Sequence, residues 1–251
     1  KDYIWYLEHR MTPEQRAAWI KEYDSISDAF NADPPEGDSL ALFKLNRYLT
    51  DYLRTIESVD RNTGRLLDYL ESAGLLRNTL VVYTSDQGFY LGEHGWFDKR
   101  FMYEESFRTP LMMRLPESLT AHGDINEMVQ NIDFAPTFLE LAGVNPPDDM
   151  QGVSLVPLLT GRKHGKWRDA LYYHYYEYPA EHAVRKHYGV RTDRYKLIHF
   201  YDDVDAWELY DLQADPHEMS NLIDDPGYDR VEQHLRKRLA ALRKEYSVPE
   251  E

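Results

Sequence analysis

The chain has 251 residues, 29 of them basic and 44 acidic, with a net charge of -15 and no cysteine. That balance argues against a nucleic-acid partner, which needs clustered Lys and Arg, and it confines any anion site to a local cluster. The missing cysteines exclude disulfides, thiolate metal sites and a cysteine nucleophile within these residues. Hydrophobic residues at 42% and charged residues at 29% fit a folded globular chain. No apolar run approaches the roughly 18–20 residues of a membrane helix. Lys1 is not an initiator methionine, and no signal-peptide pattern or strand-first opening follows it. The expectation is a chain that begins inside a longer protein.

Residues 12–31 read as a helix. Thr12 can cap it, Pro13 suits its first turn, and Trp19, Ile20 and Tyr23 can share an apolar face. After a loop from Asn31 to Gly37, a long amphipathic helix is expected over about Asp38–Ala73. Leu42, Leu45, Leu49, Leu53, Ile56, Val59, Leu66, Leu67 and Leu70 recur there at near helical spacing. Gly64 is a candidate break and Gly74 the natural C-cap.

Leu80 to Thr84 is a continuous apolar run, the pattern of a fully buried strand. Helix and then buried strand is the α/β grammar of a parallel sheet. Ligands in such sheets sit beyond the carboxyl ends of strands, here Ser85, Asp86, Gln87 and Gly88. Pro110–Leu115 is a second strand candidate, Asp133–Ala142 a helix, and Met150–Gly161 a loop with a short helical piece. Beyond Trp167 come aromatic-rich strand candidates at Leu171–Tyr178, Tyr188–Arg191, Tyr195–Tyr201 and Trp207–Tyr210. Many of the 20 tyrosines fall there. A small antiparallel sheet follows, covered by a basic amphipathic helix over Asp229–Tyr246.

Asp86 and Gln87 offer a carboxylate and an amide carbonyl, hard donors suited to Ca²⁺ or Mg²⁺. Taken alone, Asp86 is as readily a turn cap. The loop Gly92-Glu93-His94-Gly95 presents His94, and Lys99 follows. A hard metal, an ammonium and an imidazole together suit an anionic ester, because the cations neutralise charge that develops in the transition state. Singly, such a histidine more often bonds backbone, and such a lysine is usually solvated.

Ser85-Asp86-Gln87-Gly88, Gly92-Glu93-His94-Gly95, Lys99 and Tyr103-Glu104-Glu105-Ser106-Phe107-Arg108-Thr109-Pro110-Leu111 together resemble the second signature region of the sulfatases, members of the alkaline phosphatase superfamily. Upstream, Val59-Asp60, Gly64-Arg65-Leu66-Leu67 and Asn78-Thr79 agree. Downstream, so do Asp133-Phe134-Ala135-Pro136-Thr137, Gly152-Val153-Ser154-Leu155, Gly189-Val190-Arg191-Thr192 and Glu208-Leu209-Tyr210-Asp211-Leu212. The likeness runs through nearly the whole chain from about Asp38.

The resemblance implies an α/β fold: the C-terminal half of an alkaline-phosphatase-like sandwich with a mainly parallel sheet, plus a small C-terminal antiparallel sheet packed by a helix. Residues 1–165 would be the C-terminal portion of the catalytic domain and 166–251 a small α+β subdomain. Asp86 and Gln87 would be two ligands of Ca²⁺, in preference to Mg²⁺, although many relatives place Asn or His where Gln87 stands. Lys99 matches the family's sulfate-binding lysine, and His94 would lie at the substrate mouth. Glu104 and Arg108 would hold the loop. The family nucleophile is a formylglycine made within Cys/Ser-x-Pro-x-Arg, which this chain lacks. It is expected in an N-terminal part, with the remaining calcium ligands.

The tail is similar to N-acetylglucosamine-6-sulfatase-like glycan sulfatases of glycan-degrading bacteria. Its His182, His187 and Arg191 are candidate contacts to a sulfated sugar, against the plainer reading that the aromatics and histidines pack the small sheet. The implied function is sulfate-ester hydrolysis on a glycan or glycosaminoglycan, with the isolated chain inactive. The implied partners are the sulfated carbohydrate and the N-terminal part of the same enzyme. The implied location is periplasmic or secreted, or lysosomal in a eukaryote. The alternatives are a phosphodiester or phosphonate monoester hydrolase of the same superfamily, and a non-catalytic glycan-binding fragment.

Overall fold

Helix α1, Pro13–Ala32, starts at a capping box: Gln15 N donates to Thr12 Oγ1 (3.2 Å), and Thr12 N donates to Gln15 Oε1 (2.9 Å). A computed structural model describes this chain over residues 9–119, 123–162 and 165–249. It divides into two compact units, Lys1–Thr63 and Gly64–Glu251. Within the first unit, α1 meets the start of α2, Gly37–Ser72. The contacts are polar and aromatic: Arg54 pairs with Glu22 (2.6 Å), Tyr23 Oη donates to Asp51 (3.3 Å), and Phe30 stacks on Phe43 (5.1 Å).

Helix α2 runs unbroken through Gly64, so the candidate break does not occur. A single glycine costs only about 1 kcal/mol in a helix interior, which the long regular ladder absorbs. Gly74, at φ 69, ends the run in a C-terminal cap with Leu75 N bonded to Leu70 O (2.8 Å). Part of the apolar stripe of α2 stays uncovered among the described residues: Leu42 is 59% and Leu53 62% exposed, whereas Leu45, Leu49, Leu67 and Leu70 are half-buried.

Strand β1, Val81–Thr84, leads into a segment that returns as β4, Leu111–Arg114. The two pair antiparallel, from Val81 opposite Arg114 to Thr84 opposite Leu111. The excursion over residues 85–110 brings the chain back to where it left the sheet, and Thr84 Oγ1 closes the base on Pro110 O (2.9 Å). With one partner among the described residues, β1 is half-buried rather than fully buried. The excursion carries a small hairpin, β2 Tyr90–Leu91 with β3 Phe97–Asp98, and then the short helix α3, Glu104–Phe107.

Helices α4, Phe134–Leu141, and α5, Val156–Leu159, follow. Buried Asp133 ties this stretch together: it accepts from Val153 N (2.8 Å) and Gln130 N (2.7 Å) and pairs with Arg168. The C-terminal sheet is an antiparallel meander of β5 Ala170–Tyr175, β6 His187–Thr192, β7 Tyr195–Phe200 and β8 Ala206–Asp211. The period-2 alternation of side chains makes it two-faced. On one side Val190, Leu197 and Leu209 meet Leu235, Leu239 and Leu242 of helix α6, Asp229–Glu245. On the other, Ile198, Phe200 and Tyr210 meet Tyr90, Met102 and Tyr103 of the excursion. A β-carbon at Gly189 would stand 2.6 Å from Met102 Sδ, so only glycine admits that side chain.

On the same face, Lys196 is wholly buried, with its Nζ 2.9 Å from Glu104 and 2.7 Å from Glu218. Arg191 adds its guanidinium at 3.4 Å from Glu104. Burial alone would raise the Glu104 pKa, but Lys196 and Arg191 outweigh it and hold the carboxyl below its ordinary value. Lys196→Met should leave Glu218 without a cation and Glu104 with Arg191 alone, and cost about 3–5 kcal/mol. Thermal melting of the protein checks this; a loss below about 1 kcal/mol would contradict it.

Candidate functional site

The site begins where β1 ends. Asp86 Oδ1 accepts from Gln87 N (3.1 Å), and Ser85 Oγ donates to Gln87 O (2.8 Å). These local bonds turn the chain outward and leave the Asp86 carboxylate exposed and the Gln87 side chain half-buried. Gly88 then lies flush against α3. Its N–H donates to Ser106 O (2.8 Å), and a β-carbon there would stand 2.0 Å from Glu105 O. That close approach is the reason for glycine at this position.

The hairpin turn bends through Gly92 at φ 121, His94 at φ 56 and Gly95 at φ 73. His94 is thereby folded back onto aromatic faces. Its ring stacks on Tyr103 at 4.8 Å and lies 5.7 Å from Trp96. Its Nε2 is 3.5 Å from Glu105 Oε2, and only 10% of the side chain is exposed. At that separation the two buried atoms face each other without a hydrogen bond.

Lys99 sits between Asp98 at φ 81 and Arg100 at φ 101. Such conformations cost non-glycine residues about 1–3 kcal/mol each. Lys99 is half-buried and makes no hydrogen bond or ion pair among the described residues. A partly desolvated ammonium without an internal partner is available to an anion.

The other expected site residues divide. His182 approaches this loop: its Nε2 is 2.6 Å from Arg100 Nη2, and its Nδ1 is 3.1 Å from Glu177 Oε2. His187 is fully buried in a cage that includes Phe200 and Phe101, with centroids at 5.0 and 5.8 Å, and its Nδ1 donates to Arg185 O (2.8 Å). Burial pushes its pKa down to about 4, so the ring is neutral. Arg191 forks onto Glu104 from β6. Glu104 thus anchors the loop to the sheet, as expected, whereas Arg108 is exposed. Sequence reasoning missed Glu105, Arg100 and Glu177. Arg100 had a local signal, since Asp98-Lys99-Arg100 is a charged triplet soon after the glycine turn, beyond Trp96 and Phe97.

Asp86 and Gln87 supply oxygen ligands of the right kind, but calcium takes roughly six to eight. Among the described residues, no group of three or more His, Cys, Asp or Glu converges on a common point. The fit is that of a partial site, correct in chemistry and short in number. No helix among the described residues is long and apolar enough to cross a membrane.

Two family models match the chain: "Sulfatase" over residues 9–144 and "N-sulphoglucosamine sulphohydrolase, C-terminal" over residues 92–245. An N-acetylglucosamine-6-O-sulfatase of Bacteroides thetaiotaomicron is 50% identical over 239 residues, covering 94% of this chain and 43% of that protein. The solved structure of BT4656 in complex with its substrate D-glucosamine-2-N,6-O-disulfate is similar at TM-score 0.88 and 49% identity, over 95% of this chain and 49% of the other. A phosphonate monoester hydrolase of Agrobacterium radiobacter is similar at TM-score 0.68 and 27% identity, over 75% and 41%. The chain therefore spans less than half the length of these relatives.

Proposed function

The chain belongs to the sulfatase family, and from that premise we propose that it is the C-terminal part of an enzyme hydrolysing sulfate esters on a glycan, at the 6-O position of glucosamine-type sugars. The observation that carries this reading is the 50% identity along 94% of the chain to an N-acetylglucosamine-6-O-sulfatase. The uncovered part of the apolar stripe of α2 supports an N-terminal part, because such stripes mark surfaces that pack against something else. The proposal includes the division into a catalytic portion, residues 1–165, and a subdomain, residues 166–251. It also includes a location outside the cytoplasm.

In this reading Asp86 and Gln87 hold calcium together with ligands from the N-terminal part. Bound there, calcium would draw charge from the sulfate oxygens. The nucleophile, a formylglycine in this family resemblance, lies outside these 251 residues, so the chain alone is inactive. Lys99 holds a sulfate oxygen through its ammonium, an interaction that strengthens as charge builds there. His94, held by stacking on Tyr103 and Trp96, bonds the sugar at the mouth. His182 lines the far side of the same loop. Buried His187 and the Glu104-bound Arg191 support the loop and the sheet instead of touching substrate.

A phosphonate monoester reading draws on the likeness to the Agrobacterium enzyme, which is much the lower in identity. Parallel turnover of glucosamine-6-sulfate and a phosphonate monoester by the complete enzyme separates the two. Faster hydrolysis of the sulfate ester is expected. Faster hydrolysis of the phosphonate would overturn the proposal, and no turnover of either by an intact enzyme would favour a binding role.

A further inference from the structure

Asp98 and Arg100, the two neighbours of Lys99, both lie in the left-handed region without being glycine. L side chains persist there only where surrounding contacts impose it. Arg100 gathers those contacts. Its N–H donates to Ser106 Oγ (2.8 Å), and its carbonyl accepts from Tyr173 Oη (2.6 Å). Its guanidinium pairs with Asp98 through Nη1 and donates to His182 Nε2 (2.6 Å) through Nη2.

The proton arrangement follows from the chemistry. A guanidinium only donates, so Nε2 of His182 accepts and Nδ1 carries the hydrogen. Nδ1 in turn faces Glu177 Oε2 at 3.1 Å, which fixes the tautomer. Burial pushes the Tyr173 pKa up to about 12, so its hydroxyl stays a donor. Helix α3, strand β5 and the loop bearing Glu177 and His182 thus all converge on the residue after Lys99. None of them makes a hydrogen bond or ion pair with Lys99 among the described residues.

We propose that Arg100 is a positioning residue, which through Ser106, Tyr173 and His182 locks the Lys99 backbone in the conformation that directs its ammonium at the anionic group of the substrate. This rests on the reading of Lys99 as the sulfate-holding cation. A lysine at position 100 would keep the charge, but one ammonium cannot reproduce the fork that spans Asp98 and His182.

The test is a double-mutant cycle on the complete enzyme with glucosamine-6-sulfate as substrate. Arg100→Ala is expected to lower kcat/KM by about 10–100-fold, the usual range for a residue that orients a functional group. Its melting temperature should stay close to that of the parent, and Arg100→Lys should restore only part of the loss. In the Lys99→Ala background the same change should cost less than about 3-fold, because there is no longer a lysine to aim. Wild-type kcat/KM for Arg100→Ala, or losses that multiply in the double variant, would overturn the proposal alone. Full activity of Lys99→Ala would overturn the reading of Lys99, and the proposal with it. Should Arg100→Ala fail to fold, Tyr173→Phe removes one hold while keeping the ring, and it is judged in the same cycle by the same non-additivity.

Discussion

Asp86→Ala in the complete enzyme should abolish calcium-dependent sulfate release. The substitution removes a formal charge and one of the two oxygen donors proposed for calcium. Even a residue that merely orients a ligand costs about 10–100-fold in metal affinity or activity, so loss of a ligand should exceed that. The fold should survive. Asp86 is exposed, and its structural task is one turn bond from Gln87 N at 3.1 Å, which is worth about 1 kcal/mol by analogy with helix caps. Asp86→Asn separates the two tasks, since it keeps the turn acceptor and discards the charge. The measurement is initial rate against calcium concentration. A calcium dependence like that of the parent in Asp86→Ala would remove Asp86 from the metal site.

How much of this was legible in the sequence depends on distance along the chain. The helix from Thr12, the four C-terminal strands and the last helix were legible because caps, alternation and heptad-like spacing are local signals. The antiparallel pairing of β1 with β4 was not. Each strand carries a local apolar signal, but which strand it pairs with, and in which direction, is set by the return of the chain after residues 85–110.

The site shows the same division. Glu104 read as a loop anchor and is one, but its partners Lys196 and Arg191 come from strands far along the chain. Lys196 lies within the strand signal of β7, and nothing local announces its complete burial. His187 read as a sugar-contact candidate because histidine among tyrosines suits a glycan. Its position on the inward face of β6 puts it under Phe101 and Phe200 instead. The contact between Arg100 and His182 spans 82 positions. No spacing rule reaches that far, although the glycine turn before Lys99 did mark the loop on which it forms.

Lys99 tests the account most directly. It is the side chain on which the sulfate reading turns, and it is half-buried with no internal partner among the described residues. Removal of one donor to a developing negative charge typically costs about 10²–10³-fold. The decisive measurement is kcat/KM for sulfate release from glucosamine-6-sulfate by the complete enzyme and its Lys99→Ala variant, with melting temperatures in parallel. The account predicts a loss of about 10²–10³-fold with the melting temperature preserved. A Lys99→Ala enzyme that releases sulfate at the parent rate would contradict it.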